Sequence, residues 1–413
     1  MDTGQVGSWW RFSTASSITF GEHTSRFLPD ACRGLGNRVL LLTDQNLAAA
    51  GVVGPLESLL RDAGDFELLI YDKGETEIGF AGAERCAAAV REFAPSVVVG
   101  LGGGSNLDLA KVVATRLLTN RRVDSWVAGG VPGAALPVIA LPTTAGTGSE
   151  VTSLAVLTDE RHQTKVGLAS RGFLPSVVLV DPVLTLSCPQ QVTAHSGMDA
   201  LTHAIEAYMA REYHKRVTPP FTAEGFVGKN PVSDALALSA ISLIGGNLRR
   251  AVANGGDFVA REAMALASLL AGMAFSSAGT AIVHALQYPV GARTKTPHGL
   301  GNAILLPAVV RYNLPVRQCE ATAVARALGF TAGEDIEAAK TLPSLLSQLA
   351  SSIGITPGLD SIGVVEADLP EMAVAAARIT RLTDNNPRPV DADALLEVLH
   401  DALHDGPLGS RRV

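Results

Sequence analysis

Two stretches hold the side chains that could do chemistry. In GMDALTHAIEAY, Gly197 to Tyr208, Asp199 and His203 stand four apart in an apolar helical run, so both project from one helix face. In HALQYPVGARTKTPHG, His284 to Gly299, His284 follows a small, apolar helix end and His298 stands in a Thr-Pro-His-Gly turn fourteen residues later. A carboxylate and imidazoles are costly to bury among Met198, Leu201 and Ala204 without a purpose. Three imidazoles and one carboxylate suit Fe²⁺ or Zn²⁺, leaving a position for a substrate oxygen. The chemistry of such a site is Lewis-acid polarisation of an alcohol or carbonyl oxygen. His23, His162, His195, His214, His400 and His404 have no such company and are read as structural or solvent-facing.

A second group lies earlier. PSVVVGLGGGSNLDLAKVVATRLL, Pro95 to Leu118, reads as a buried strand, a glycine cluster and a helix opening at Ser105 or Asn106. Gly102, Gly103 and Gly104 would offer bare backbone N–H groups at a helix start, where the dipole suits a pyrophosphate; Ser105 adds a hydroxyl, and Asp108 and Lys111 fall on the first two turns. Asp44, closing the strand NRVLLLTD, could accept bonds from ribose hydroxyls and repel a 2′-phosphate, which favours NAD over NADP. Thr143, Thr144, Gly146, Thr147 and Gly148 form a polar loop able to wrap phosphate and carboxamide groups.

The elements that must position these residues follow from periodicity. Apolar strands at Asn37–Asp44, Phe66–Asp72, Pro95 onward, Pro137 onward and Ser176–Thr185 alternate with helical runs, which predicts right-handed crossovers and a doubly wound sheet. AVLTDERHQTKVGL reads as a hairpin. From Cys188 the pattern turns to long apolar helices with a period near 3.6, so the chain is expected to divide into an α/β domain over residues 1–185 and an all-helical domain over 186–413. The polar insert Arg211 to Pro231 stands apart.

Length and composition agree: 413 residues suit two domains, and 47% hydrophobic with 18% charged residues is a globular composition. A net charge of −7 without a basic stripe argues against nucleic acid. Cys32, Cys86, Cys188 and Cys319 form no CxxC pair, so neither a thiolate metal site nor a disulfide framework is expected, and a reducing cytoplasm fits. The N-terminal residues lack a leader pattern, and no apolar run of roughly 18 residues marks a membrane span.

GGGSNLDLAK, LPTTAGTGSEVT, DPVLTLS, SGMDALTHAIEAY, NPVSDALAL and HALQYPVGARTKTPHGLGNAILLP together resemble the iron-containing (group III) alcohol dehydrogenase family, from about Asn37 to Asn313, with an echo in NNPR, Asn385 to Arg388. The resemblance implies an α/β Rossmann-like N-terminal domain and an all-α C-terminal domain, the dehydroquinate synthase-like architecture, with NAD(P) and the metal held in a cleft between them. It implies that Asp199, His203, His284 and His298 are the metal ligands, with Fe²⁺ favoured over Zn²⁺. By the same matching, Gly102, Gly103, Gly104 and Ser105 form the pyrophosphate loop, Thr143, Thr144 and Thr147 the second cofactor loop, and Lys165 the nucleotide-contacting lysine, while Asp44 selects NAD. A homodimer or larger homo-oligomer acting on a small alcohol or aldehyde is implied too.

Three departures stand out: Asn106 where many members have proline, Tyr288 where many have a second histidine, and the length of the Arg211–Pro231 stretch. Competing readings are a hydroxyacid-oxoacid transhydrogenase, a dehydroquinate synthase-like lyase, and a non-catalytic nucleotide-binding protein. Arg293, Lys295 and Arg388 raise the idea of an anionic substrate.

Overall fold

The computed structural model describes residues 9–161, 164–216 and 225–404. The chain divides at Cys188/Pro189 into two compact units, with residues 9–13 going with the later one. Ser277 Oγ donating to the Arg11 carbonyl at 2.8 Å is one tie of that segment.

The earlier unit is built on a six-stranded parallel sheet. Its strands are β1 (Ser17–Phe20), β2 (Arg38–Leu42), β3 (Glu67–Tyr71), β4 (Val97–Gly102), β5 (Val138–Pro142) and β8 (Val177–Val180), ordered β1-β8-β5-β4-β2-β3. The runs RVLLL and VVVGLG are apolar at every inner position because helices cover both faces. Leu40, Leu42 and Val98 pack into one core layer with the helix Gly104–Arg116, while Val39, Leu41, Val97 and Val99 pack into the other with the helix Val53–Asp62. β6 (Leu154–Asp159) and β7 (Thr164–Ala169) form the expected antiparallel hairpin. His162, between the two strands in sequence, lies outside the described residues.

Connections from the neighbouring strands β2 and β4 leave in opposite directions, to β3 on one side and β5 on the other. That makes the carboxyl ends of β2 and β4 a topological switch point, the place where open α/β sheets take ligands. Asp44 follows β2, and Gly102 ends β4.

Two features depart from the sequence reading. β1 was not expected, because SITF is four residues with two hydroxyl side chains and gains its place by parallel pairing with β8. The run from Gln45 to Asp62 is two helices, Gln45–Ala49 and Val53–Asp62, parted where Gly51 takes φ of +76°.

The later unit is helical. Gln190–Met209 runs through its interior against Pro231–Ala253, Phe258–Ala278 and His298–Asn313. Pro231–Ala253 starts at a capping box in which Asn230 and Ser233 each bond the other's backbone N–H. This helix and Phe258–Ala278 are, contrary to the sequence expectation, long and apolar enough to cross a membrane by length and composition. Their apolar faces are turned instead on the neighbouring helices, as Ala240, Ile244, Leu248, Met264 and Ala271 show by being buried.

Candidate metal and cofactor sites

In the helical unit three ring nitrogens converge on one carboxylate oxygen. Asp199 Oδ1 lies 3.9 Å from His203 Nε2, 3.9 Å from His284 Nε2 and 3.8 Å from His298 Nε2. Asp199, His284 and His298 present ligand atoms all within 4.8 Å of one another. His203 joins them through the same oxygen and is stacked between the Phe275 ring at 4.2 Å and the His284 ring at 4.8 Å.

Local structure explains the convergence. Asp199 and His203 are one turn apart on Gln190–Met209, His284 sits in the first turn of Ile282–Thr294, and His298 opens His298–Asn313. Between those two helices Lys295 takes the left-handed conformation, φ +57°, and Pro297 sets the next start. Gly299 lets the new helix approach Gln190–Met209: an added Cβ would fall 2.2 Å from the His195 carbonyl oxygen and 3.1 Å from Asp199 Cβ.

The outer ring of partners was not foreseen. Glu206 Oε2 accepts from His284 Nδ1 at 2.5 Å, while Oε1 accepts the Val283 N–H at 2.7 Å. Gln287 Oε1 accepts from His298 Nδ1 at 2.6 Å, and Asn302 Nδ2 donates to Asp199 Oδ1 at 2.7 Å. With Nδ1 of both His284 and His298 carrying the proton, each Nε2 presents a lone pair to the centre. Spacing was the available signal: Glu206 is three beyond His203, Gln287 three beyond His284 and Asn302 four beyond His298, each pair sharing a helix face.

Burial by itself would raise the Asp199 carboxyl, but the His203, His298 and His284 imidazoles and the Asn302 amide outweigh it and hold the group below its usual range. Asp199, His203 and His284 are buried, whereas the His298 side chain is 39% exposed, so the cluster has one accessible side. Tyr288 is buried with its ring 6.3 Å from that of His298. The donor set fits a divalent ion: one carboxylate oxygen and imidazole nitrogens, with buried Asn302 Oδ1 left without a partner beside them.

In the α/β unit Gly102 has φ of +147°, and Gly103 precedes the helix Gly104–Arg116 without any side-chain cap. The leading N–H groups of that helix are free of intrahelical bonds. An added Cβ on Gly104 would meet the Thr147 side chain at 2.8 Å, and one on Gly103 would reach Thr144 at 3.4 Å, so the glycine and threonine loops face one another. Thr143 N–H donates to the Gly102 carbonyl at 3.0 Å. These loops form a cradle of backbone donors that suits a diphosphate.

The remaining expected residues also bond within the chain. Ser105 Oγ donates to Thr76 O at 2.6 Å, and Lys165 Nζ bonds Thr158 at 2.9 Å and pairs with Glu77 at 3.2 Å. Asp108 is buried, accepting from Ser149 Oγ at 2.6 Å and Val156 N–H at 2.8 Å. It shares Ser149 with Lys111, which is fully buried and whose pKa burial lowers. That network ties the threonine loop to the helix from behind. Arg293 donates to Asp368 at 3.2 Å, and Arg388 donates to the Tyr312 carbonyl at 3.0 Å while lying over the Tyr312 ring.

A doubly wound α/β unit with a glycine cradle, joined in sequence to a helical unit with an Asp/His cluster, defines a metal-assisted, dinucleotide-linked oxidoreductase class. Residues 15–182 match iron-containing alcohol dehydrogenase and residues 222–403 match the C-terminal part of the same family. The chain is 36% identical to a 1,3-propanediol dehydrogenase from Klebsiella pneumoniae over 93% of its length and 96% of the relative's. It is 33% identical to a sulfoacetaldehyde reductase from Bilophila wadsworthia, over 88% of its length and 91% of that protein's. The crystal structure of a 1,3-propanediol oxidoreductase superposes with a TM-score of 0.88 at 34% identity, covering 96% of this chain and all of the other. The chain belongs to the iron-containing alcohol dehydrogenase family. It is an NAD-linked, metal-assisted oxidoreductase acting on CH–OH groups.

Proposed function

We propose that the protein interconverts a small, uncharged alcohol and its aldehyde, with Asp199, His203, His284 and His298 holding the metal. The convergence of three Nε2 atoms on Asp199 Oδ1 carries this reading. A metal held by these residues would supply Lewis acidity toward a substrate oxygen, and a bound nicotinamide would supply the hydride acceptor or donor. Asp199 supplies the one ligand charge, and Glu206 and Gln287 keep His284 and His298 turned with Nε2 inward. Gly102, Gly103, Gly104 and Ser105 take the diphosphate, Thr143, Thr144 and Thr147 flank it, and Asp44 receives the adenosine ribose. Asp108 and Lys165 support these loops through Ser149 and the Thr76–Glu77 segment.

An uncharged substrate is favoured because Arg293 and Arg388 already have partners within the chain, which leaves Lys295 alone of the three cations to meet a charged tail. The relatives' names span a neutral diol and a sulfonated aldehyde. In a panel of aldehydes with neutral, carboxylate, phosphonate and sulfonate tails, followed by NADH absorbance, the neutral members are expected to show kcat/KM at least about tenfold higher, since a tail charge left unpaired costs on the order of 1.4 kcal/mol or more. A sulfonate preferred tenfold would overturn the substrate class; turnover only with a second oxo acid present would point to transhydrogenation.

Tyr288 places a phenol beside the most exposed ligand. If its hydroxyl handles the substrate proton, Tyr288→Phe lowers kcat by about 10²-fold with metal content unchanged, the lower end for a general acid–base group. An unchanged kcat leaves the side chain a packing role. A cytoplasmic homodimer belongs to the same reading, supported by four free cysteines and by the family likeness.

A further inference from the structure

Among the described residues Asp44 has three hydrogen-bond donors of its own chain. Oδ1 caps the helix Gln45–Ala49, accepting the Asn46 N–H at 2.8 Å and the Leu47 N–H at 3.1 Å. Oδ2 accepts from Asn106 Nδ2 at 2.7 Å, and the same Nδ2 lies 3.2 Å from the Leu101 carbonyl. Asn106 is 3% exposed, in the first turn of Gly104–Arg116, directly behind the glycine cradle.

The amide cannot turn over. Flipped, its oxygen would face two acceptors, Asp44 Oδ2 and Leu101 O, and lose both bonds. Its atoms also fill the space beside two glycines: an added Cβ on Gly102 would fall 2.3 Å from Nδ2, and one on Gly74 would fall 2.2 Å from Oδ1. The bond therefore crosses the switch point between β2 and β4 with fixed direction and ties the Asp44 carboxylate to the helix that presents the diphosphate donors.

We infer that Asn106 is a positioning residue for cofactor choice: by holding Asp44 Oδ2 it fixes the carboxylate where a ribose diol can donate to it and a 2′-phosphate is repelled. This rests on the assignment of Asp44 to the adenosine ribose. A carboxylate offers about four lone-pair sites, and chain donors take three, so one remains, aimed in one direction. A ribose hydroxyl can use that site. A phosphate ester brings no donor and a like charge, and a carboxylate pinned at both oxygens cannot swing away to relieve the repulsion. Without the Asn106 bond only the helix cap restrains Asp44, and both the attraction and the repulsion weaken.

The test is the ratio of dissociation constants for NADPH and NADH, read by cofactor fluorescence on the full-length protein without substrate. In Asn106→Ala, and in Asn106→Leu, which keeps the volume, the NADH constant is expected to rise about tenfold, the loss associated with a hydrogen bond to a charged group. The NADPH constant stays level or falls, so the ratio drops about tenfold or more. Asp44→Gly should collapse the ratio on its own, and adding Asn106→Ala to it should change the ratio no further. If Asp44→Gly collapses the ratio but both Asn106 variants shift the two constants equally, Asn106 merely supports the loop and the inference falls. If Asp44→Gly leaves the ratio intact, the assignment of Asp44 falls and takes the inference with it.

Discussion

His284→Ala is expected to be purified without stoichiometric metal and to turn over at least about 10³-fold more slowly than the parent. Metal polarisation contributes several kcal/mol of charge stabilisation, and each 1.36 kcal/mol is a factor of ten in rate. His284 is buried, so its removal opens a hole that a water fills at best, with no imidazole lone pair aimed at the centre. It also strips Glu206 Oε2 of its partner, leaving a buried carboxylate held only through the Val283 N–H. That second loss costs roughly 1–3 kcal/mol of stability or more, so part of the effect of alanine could be unfolding. Asp199→Asn separates the two. It keeps shape and burial and removes the single ligand charge, so metal content and turnover should fall while circular dichroism and the melting curve stay near the parent's. Normal metal content and turnover in both variants would remove the cluster from the chemistry.

Glu206→Gln tests the orienting shell without touching a ligand. Glu206 accepts two hydrogen bonds, one at each oxygen, from Val283 N–H and His284 Nδ1. A glutamine has one carbonyl oxygen for two donors. If that oxygen keeps the Val283 N–H, its NH₂ faces Nδ1, which must then accept, and the ring proton moves to Nε2, where it blocks coordination. If the side chain turns the other way, NH₂ meets the backbone N–H and that bond is lost. Either arrangement should weaken metal binding by about 10–100-fold, the usual range for losing such a partner. Competition against a chelator of known affinity measures it. With metal in excess, kcat should recover much of the way in Glu206→Gln and not in His284→Ala; equal metal affinity in Glu206→Gln and the parent would assign Glu206 to packing.

The sequence was legible where a pattern repeats along one element. Buried runs such as RVLLL and VVVGLG, and the spacing of Asp199 and His203, each depend on a single strand or helix and could be read from order alone. Donor chemistry and then the resemblance joined that pair to His284 and His298, and the structure brings the three histidine rings to one Asp199 oxygen. Family likeness also extends further than the motifs suggested, back to residue 15 and on to residue 403. What stayed hidden depends on partners distant in sequence. SITF becomes a strand only because β8 offers its edge. Glu206, Gln287 and Asn302 look like ordinary polar helix residues until two other helices bring rings to meet them. Asp108, expected beside the cofactor at a helix start, also accepts from Ser149 and Val156, the second nearly fifty residues further along, and neither bond is legible from order alone. Residues 217–224 of the long polar insert lie outside the described residues.

The close approach at Gly299 bears on how the metal site comes into being. His298 begins the helix that approaches that of Asp199 at Gly299, and His284 is bonded to Glu206 on the same helix, so packing contributes to where these rings stand. Small zinc modules work the other way, their chains ordered by the ion and unfolded without it. Here the helices that carry the cluster also pack on one another through residues outside it, so the helical unit is expected to stay folded when the ion is stripped by a chelator, and circular dichroism before and after chelation checks this.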